Sequence, residues 1–289
     1  MHGALPKAVG VGFKPQHFQN LLADADVVQW IEVHAENYMG AGGLAHAQLA
    51  QLADTMPISL HGVGLSLGGA DLPDKAHLKK LRGLCDSLNP SQLSEHLAWA
   101  GLPGQFANDL LPVEYDADAL ARLVANVDFA QQILGRKLLI ENPSHYLVFA
   151  DAAYDTPTIE TDFLAALVEK TDCGLLLDVN NIYVSCHNLG WSPNLYLEQF
   201  PFAAVGEVHL AGHAEDIDAS GAPVLIDNHG ASVAVQVWQL YENVLAQCGA
   251  LPSLIEWDTH IPDWSILCAE ARKADTILRR YSEKIEYVA

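Results

Sequence analysis

Seven apolar runs in this chain of 289 residues end on a side chain that can bind a metal ion or move a proton. Ile58-Ser59-Leu60 ends in His61, Gln92-Leu93-Ser94-Glu95 in His96, Lys137-Leu138-Leu139-Ile140 in Glu141, and Leu175-Leu176-Leu177 in Asp178. Val205-Gly206-Glu207-Val208 leads into His209, Ser253-Leu254-Ile255 into Glu256, and Trp30-Ile31-Glu32-Val33 into His34 and Glu36. Only His, Asp and Glu occupy these ends. The chain holds 36 acidic residues and 13 histidines in all, too few for chance to place one at every such end.

A buried carboxylate or imidazolium must be paired, hydrogen-bonded or bound to metal. The strand ends and the loops beside them hold almost no Lys or Arg, so the neutralising charge expected there is a metal cation. His61, His96, Glu141, Asp178, His209, Asp227, His229 and Glu256 offer more ligands than one ion takes, which suits two or three ions sharing bridging carboxylates. Imidazole and carboxylate without thiolate fit Fe, Mn or Zn alike. A lone strand-end histidine is commonly just a hydrogen-bonded structural residue, so His61 and His96 gain weight from their company. Glu141, Asp178, His209 and Glu256 each end an unambiguous apolar run, and Asp178, Glu141 and His209 are the expected catalytic residues.

The spacings His209-x-x-x-His213 and Asp227-x-His229 would let each pair share a metal, though such spacings are common. Asn181 is a weak ligand or the anchor of a turn. Glu32, His34 and Glu36 read as a polar wall behind the ligands. His17, His77, His145 and His260 read as surface or capping residues. Cys186, beside His187 in a loop after Asp178, is the one cysteine with a candidate role; the other four read as buried apolar side chains.

The elements that must position these residues follow from the runs themselves. Buried strands alternate with helical stretches: Pro15 toward Leu22, Leu44 to Ala53, His77 to Leu88, Asp118 to Leu134, Val233 to Leu245, and Asp263 to Arg280. Leu120, Leu123, Val124, Val127 and Leu134 share one helical face, and Gly135 stops that helix. Thr156-Pro157 reads as an N-cap with proline at the first helical position, ahead of Phe163, Leu164, Leu167 and Val168. Gly62 to Gly69 reads as a mobile glycine-rich loop over the site. Glu215 to Gly230 is an insertion in which Ser220-Gly221 turns a hairpin whose second arm is Pro223 to Ile226. Eight strand-helix alternations predict a single-domain (β/α)8 TIM barrel, whose chemistry sits where the strands end.

Composition narrows the function. A formal charge of -21 without a basic stripe argues against nucleic acid. The absence of an apolar run of about 18 residues argues against a membrane span. The first residues lack a secretory signal, which predicts a cytoplasmic protein. Five scattered cysteines without a C-x-x-C pair fit neither a disulfide framework nor a structural zinc site.

Taken in order, Glu32-Val33-His34-Ala35-Glu36-Asn37-Tyr38, Ser59-Leu60-His61-Gly62-Val63, Ser94-Glu95-His96-Leu97-Ala98 and Ile140-Glu141-Asn142-Pro143 form a specific series. Leu177-Asp178-Val179-Asn180-Asn181, His209-Leu210-Ala211-Gly212-His213, Asp227-Asn228-His229-Gly230 and Leu254-Ile255-Glu256-Trp257-Asp258 continue it. The whole resembles the multinuclear non-haem iron-dependent oxidases, the family that includes the methanobactin-biosynthesis oxidase. That resemblance implies a barrel with two or three iron ions, Fe2+ or Fe3+. It implies His61, His96, Glu141, Asp178, His209 and Glu256 as main ligands, with Asn181, His213, Asp227 and His229 as further or third-metal ligands. It also implies O2-dependent modification, usually at cysteine, of a ribosomally made precursor peptide, whose leader is presented by a separate leader-peptide-binding partner protein. The glycine-rich loop and the insertion are candidate walls of a peptide groove. The alternative is a divalent-metal sugar isomerase or hydrolase of the xylose-isomerase-like barrel class; the many histidines and the lack of a convincing catalytic Lys at the rim weigh against it.

Overall fold

The computed structural model describes residues 4–102, 105–149 and 157–286. In chain order the strands are β1 (Val9–Gly12), β2 (Trp30–His34), β3 (Ile58–Gly62), β4 (Gln92–His96), β5 (Trp99–Leu102) and β6 (Gln105–Leu111). Then come β7 (Leu139–Glu141), β8 (Gly174–Asp178), β9 (Val205–Leu210), β10 (Ala214–Ile217), β11 (Pro223–Ile226) and β12 (Ser253–Ile255). Eight of them close a parallel barrel in the order β1-β12-β9-β8-β7-β4-β3-β2, while β5-β6 and β10-β11 are separate antiparallel hairpins. The expected (β/α)8 barrel is what the chain forms.

Register explains why the strand ends meet. His34 lies opposite His61, His96 opposite Glu141, and Asp178 opposite His209. Glu256 follows β12 directly, and its amide donates to the Leu210 carbonyl at 2.9 Å. Residues far apart in sequence thus reach one level of one rim.

The helices form where period and caps agree. Asp116 caps Ala117–Leu134 by accepting from the Ala119 amide at 2.6 Å, and Gly135 ends it at a φ of 69°, a conformation glycine adopts without strain. Leu123, Val127 and Leu134 are buried as expected, while Leu120 and Val124 pack at the margin of the core. The last helix, Trp264–Glu286, runs past Arg280. The next-to-last spans Val235–Cys248.

Several expectations need correction. Asp178 ends β8 and also caps a helix that starts at once, Val179–Leu189, its Oδ1 accepting from the Asn181 amide at 2.6 Å. Cys186 therefore sits in a helix, not a loop. Burial, with repulsion from Glu160, pushes its thiol up to about 12, so it is no nucleophile at neutral pH. The β5-β6 hairpin and the helix Pro193–Gln199 are further elements. Pro157 is the cap of Thr158–Thr171 rather than its first residue, and Thr156 lies outside the described residues. The glycine-rich loop is packed down: Leu65 and Leu67 are buried, Gly68 donates to the Ala98 carbonyl, and Asn126 donates to the Leu67 and Gly69 carbonyls. Its apolar anchors override the flexibility its glycines suggest.

Candidate metal centre

The tightest grouping is His61, His96 and Glu141. The His61 ring is held through Nδ1, 2.7 Å from Ser94 Oγ, and the His96 ring through Nδ1, 3.2 Å from the Gly62 carbonyl. That leaves the two Nε2 atoms 3.3 Å apart, and 3.2 and 3.3 Å from Glu141 Oε2. Donors held at about 2.0–2.2 Å from one ion stand roughly 3–3.5 Å from each other, so the three atoms are spaced as ligands of a common cation. Glu141 Oε2 has no hydrogen-bond donor.

A second grouping, Glu141, Asp178 and His209, shares Glu141 with the first; a third joins Asp178, His229 and Glu256. Glu256 Oε2 lies 3.0 Å from His209 Nδ1 and 3.4 Å from His229 Nδ1. His229 Nε2 is 2.7 Å from Asp227 Oδ1, yet has no hydrogen bond of acceptable geometry. Asp178 Oδ2 and Asn181 Oδ1 are likewise buried without partners, although Asn181 donates to the Asn142 carbonyl. So many orphaned polar atoms aimed at one another fit bound cations and fit no closed hydrogen-bond network. The donor set accepts a divalent metal; it does not name one.

The charges agree. Burial, with His96 and His209 close by, holds His61 well below its usual range. For His96, burial is outweighed by Glu141 and Glu95, which raise it to about 9. Burial lifts Glu141 to about 7, and burial plus repulsion from Glu141 lifts Asp178 well above the carboxylate range. Burial would raise Glu256 too, but His229 and His209 hold it well below.

The structure separates one expected ligand from the rest. His213 belongs to none of the groupings; its Nδ1 lies 2.8 Å from Asn180 Oδ1 and its ring packs near Tyr183. Three residues of irregular chain join β9 to β10, with no helical turn to bring His213 back over His209. Asp227 and His229 do come together. They are set by the β10-β11 hairpin and by a φ of 46° at His229.

Other residues were missed or misread. His34 faces Glu256 and Asp258, each at 3.7 Å, and so lines the centre itself, with Asp258 as its neighbour. Lys14, just past β1, reaches this flank and pairs with Asp258 at 2.6 Å, so the rim is not wholly without base. Glu207 is fully buried beneath His209. His17 and His145 are buried, not surface: His17 Nε2 lies 2.9 Å from the Pro262 carbonyl, and His145 Nε2 2.7 Å from Glu160.

A cleft of about 630 Å³ opens onto His34, His61, His96, Glu141, Asn181, Asp227, His229 and Glu256. Its walls are the β5-β6 hairpin, through Ala100, Ala107, Leu110 and Leu111, and the segment Pro143 to Leu147. Of the glycine-rich loop only Val63 contributes. Leu110, Tyr146 and Leu147 are large apolar side chains left exposed at this mouth.

The closed parallel barrel is a TIM barrel, a fold shared with solved structures. D-Psicose 3-epimerase, in a structure with D-fructose, superposes with a TM-score of 0.60 at 15% identity over 95% of this chain and 99% of that one. The IOLI protein with a binding zinc atom gives 0.58 at 13% identity, covering 94% and 98%. At such identities the likeness is one of fold. Sequence goes further: residues 8–279 match the RiPP precursor modification enzyme family MbnB/TglH/ChrH, and the chain belongs to that family. It is 49% identical over 276 residues to a UPF0276 protein of Bordetella parapertussis, covering 96% of this chain and 94% of that one. A UPF0276 protein of Rhizobium meliloti is 46% identical over 274 residues, covering 94% and 87%. The family acts on precursor peptides, so this chain is an enzyme of peptide modification. Among the described residues no helix is long and apolar enough to cross a membrane.

Proposed function

We propose that the protein is a multinuclear iron-dependent oxidase that uses dioxygen to modify cysteine residues of a ribosomally made precursor peptide, with a leader-binding partner protein. The observation that carries this reading is the facing of His61, His96 and Glu141 at 3.2–3.3 Å on the floor of a wide cleft, in a chain of a peptide-modifying family. His61, His96 and Glu141 would hold one ion, and Glu141, Asp178, His209 and Glu256 a second. Asn181, Asp227 and His229 would hold a third.

Bound iron supplies redox chemistry with dioxygen and a Lewis-acid position for the substrate sulfur. The protein's part is positioning. Ser94 and the Gly62 carbonyl fix the rings of His61 and His96, Glu141 ties two ligand groups together, and the Asp178 cap holds its second oxygen toward the centre. Leu110, Tyr146 and Leu147 give a peptide an apolar edge to lie against while its reactive residue reaches the floor.

The test is to co-express the protein with cysteine-containing short peptides encoded beside it and the neighbouring candidate partner, then weigh the peptides. A mass change at cysteine that needs iron and air is expected. Unmodified peptides, together with epimerisation of a ketose by the manganese- or magnesium-loaded protein, would move the assignment to the sugar isomerase alternative.

A further inference from the structure

We infer that Glu32 and Glu207 are positioning residues that turn the His209 ring so that Nδ1, not Nε2, faces the metal centre. This rests on the ligand role proposed for His209. The layer beneath the rim of such a barrel is normally filled with apolar side chains. Here it holds Glu32, Ser59 and Glu207, two residues before His34, His61 and His209 on their strands and at most 2% exposed. The two-residue period of a strand puts Glu207 on the same face of β9 as His209, under its ring.

The distances fix the ring's orientation. His209 Nε2 lies 3.2 Å from Glu32 Oε1 and 3.5 Å from Glu207 Oε1, while Nδ1 lies 3.0 Å from Glu256 Oε2 at the rim. Ser59 Oγ, 2.8 Å from Glu32 Oε2 and 3.2 Å from Glu207 Oε2, ties the carboxylates to each other. His209 Nε2 and Glu207 Oε1 are buried and make no hydrogen bond, while Nδ1 is hydrogen-bonded to Glu256 Oε2, a contact that a cation at the rim would replace. The opposite holds for His61 and His96, whose Nδ1 atoms are anchored and whose Nε2 atoms face the centre. A carboxylate behind a ligating imidazole fixes both its orientation and which nitrogen is free to bind.

The experiment is zinc titration of metal-free protein labelled with nitrogen-15 at histidine, following zinc content and the ring nitrogen shifts, with His209 assigned by its loss in His209→Ala. The expected result is zinc on Nδ1 of His209 with Nε2 protonated. Glu32→Gln should perturb the Nε2 shift and weaken zinc at that site by about 10- to 100-fold. Glu207→Gln, at the longer contact, should do so less, and it carries the test alone should Glu32→Gln not fold. Zinc on Nε2, or shifts and affinity unchanged in both variants, would overturn the inference while leaving the ligand role of His209 intact. A His209→Ala variant with the full zinc content of wild type would remove that ligand role and the inference with it.

Discussion

Two histidine-glutamate groupings reach the same cleft, one of them through His145 alone, and are built to opposite ends. In one, His145 Nε2 lies 2.7 Å from Glu160 Oε2 and 3.1 Å from the Tyr115 hydroxyl, and Tyr196 donates to Glu160 Oε1 at 2.7 Å. Both Glu160 oxygens there have a hydrogen-bond partner. In the other, the two imidazoles meet through Nε2 at 3.3 Å, and Glu141 Oε2, 3.2–3.3 Å from both, has no hydrogen-bond partner. Both set imidazole against a buried carboxylate. The direction of donors and acceptors is what separates a structural network from a cation site.

The sharpest way to break that comparison is to truncate one carboxylate in each grouping. Glu141→Ala should abolish peptide modification and lose metal while keeping its far-ultraviolet circular dichroism; full metal content by elemental analysis would remove Glu141 from the ligands. Glu160→Ala should do the reverse, costing about 3–5 kcal/mol in a denaturant titration of the metal-free protein, because it strands buried partners. Metal content per folded chain should stay at the wild-type value. A Glu160→Ala protein as stable as wild type would show that this network does not support the fold.

Acidity sharpens the contrast. His96, raised to about 9, and Glu141, raised to about 7, carry protons in the metal-free chain that an incoming cation must displace. Apparent metal affinity should therefore climb from about pH 6 to about pH 9 and level off above, with protons released on binding. In the metal-free chain the raised His96 contributes stability that is full below its unfolded value and fades as pH rises through about 9. Flat affinity across that range, measured by competition with a chelator of known pH dependence, would contradict the proton load assigned here. The smallest effect is expected for Tyr146→Phe, which removes the hydroxyl that accepts from the Asp227 amide at 2.8 Å. It should cost about 0.5–1.5 kcal/mol and leave the ion proposed for His61, His96 and Glu141 in place; loss of that ion would tie the two halves of the centre more tightly than their contacts suggest.

The barrel and the strand-end residues were legible because both ride on one signal. An apolar run gives the strand, its last residue gives the chemistry, and closure brings the ends together. Glu207 was not legible for the same reason: a strand buried on both faces shows no alternation, so a carboxylate inside the run has no visible partner. His145, after Pro143 and away from any strand end, carried no pattern pointing to Glu160. The helix Val179–Leu189 was hidden because Asp178 serves as strand end and cap with no loop between. His213 was chosen on a four-residue spacing, which brings side chains into contact on a helix but sets them about 13 Å apart along an extended chain, and no helix joins it to His209. Cysteine, dioxygen and iron came from the family resemblance, and no single residue here spells them.

Elemental analysis of protein purified without oxygen, with Mössbauer spectra of an iron-57 preparation, tests the central claim most directly. About two or three irons per chain in mixed oxidation states, falling in Glu141→Ala and unchanged in Glu160→Ala, is the predicted result. Stoichiometric zinc or manganese without iron, in a preparation shown to retain its metal, would contradict it.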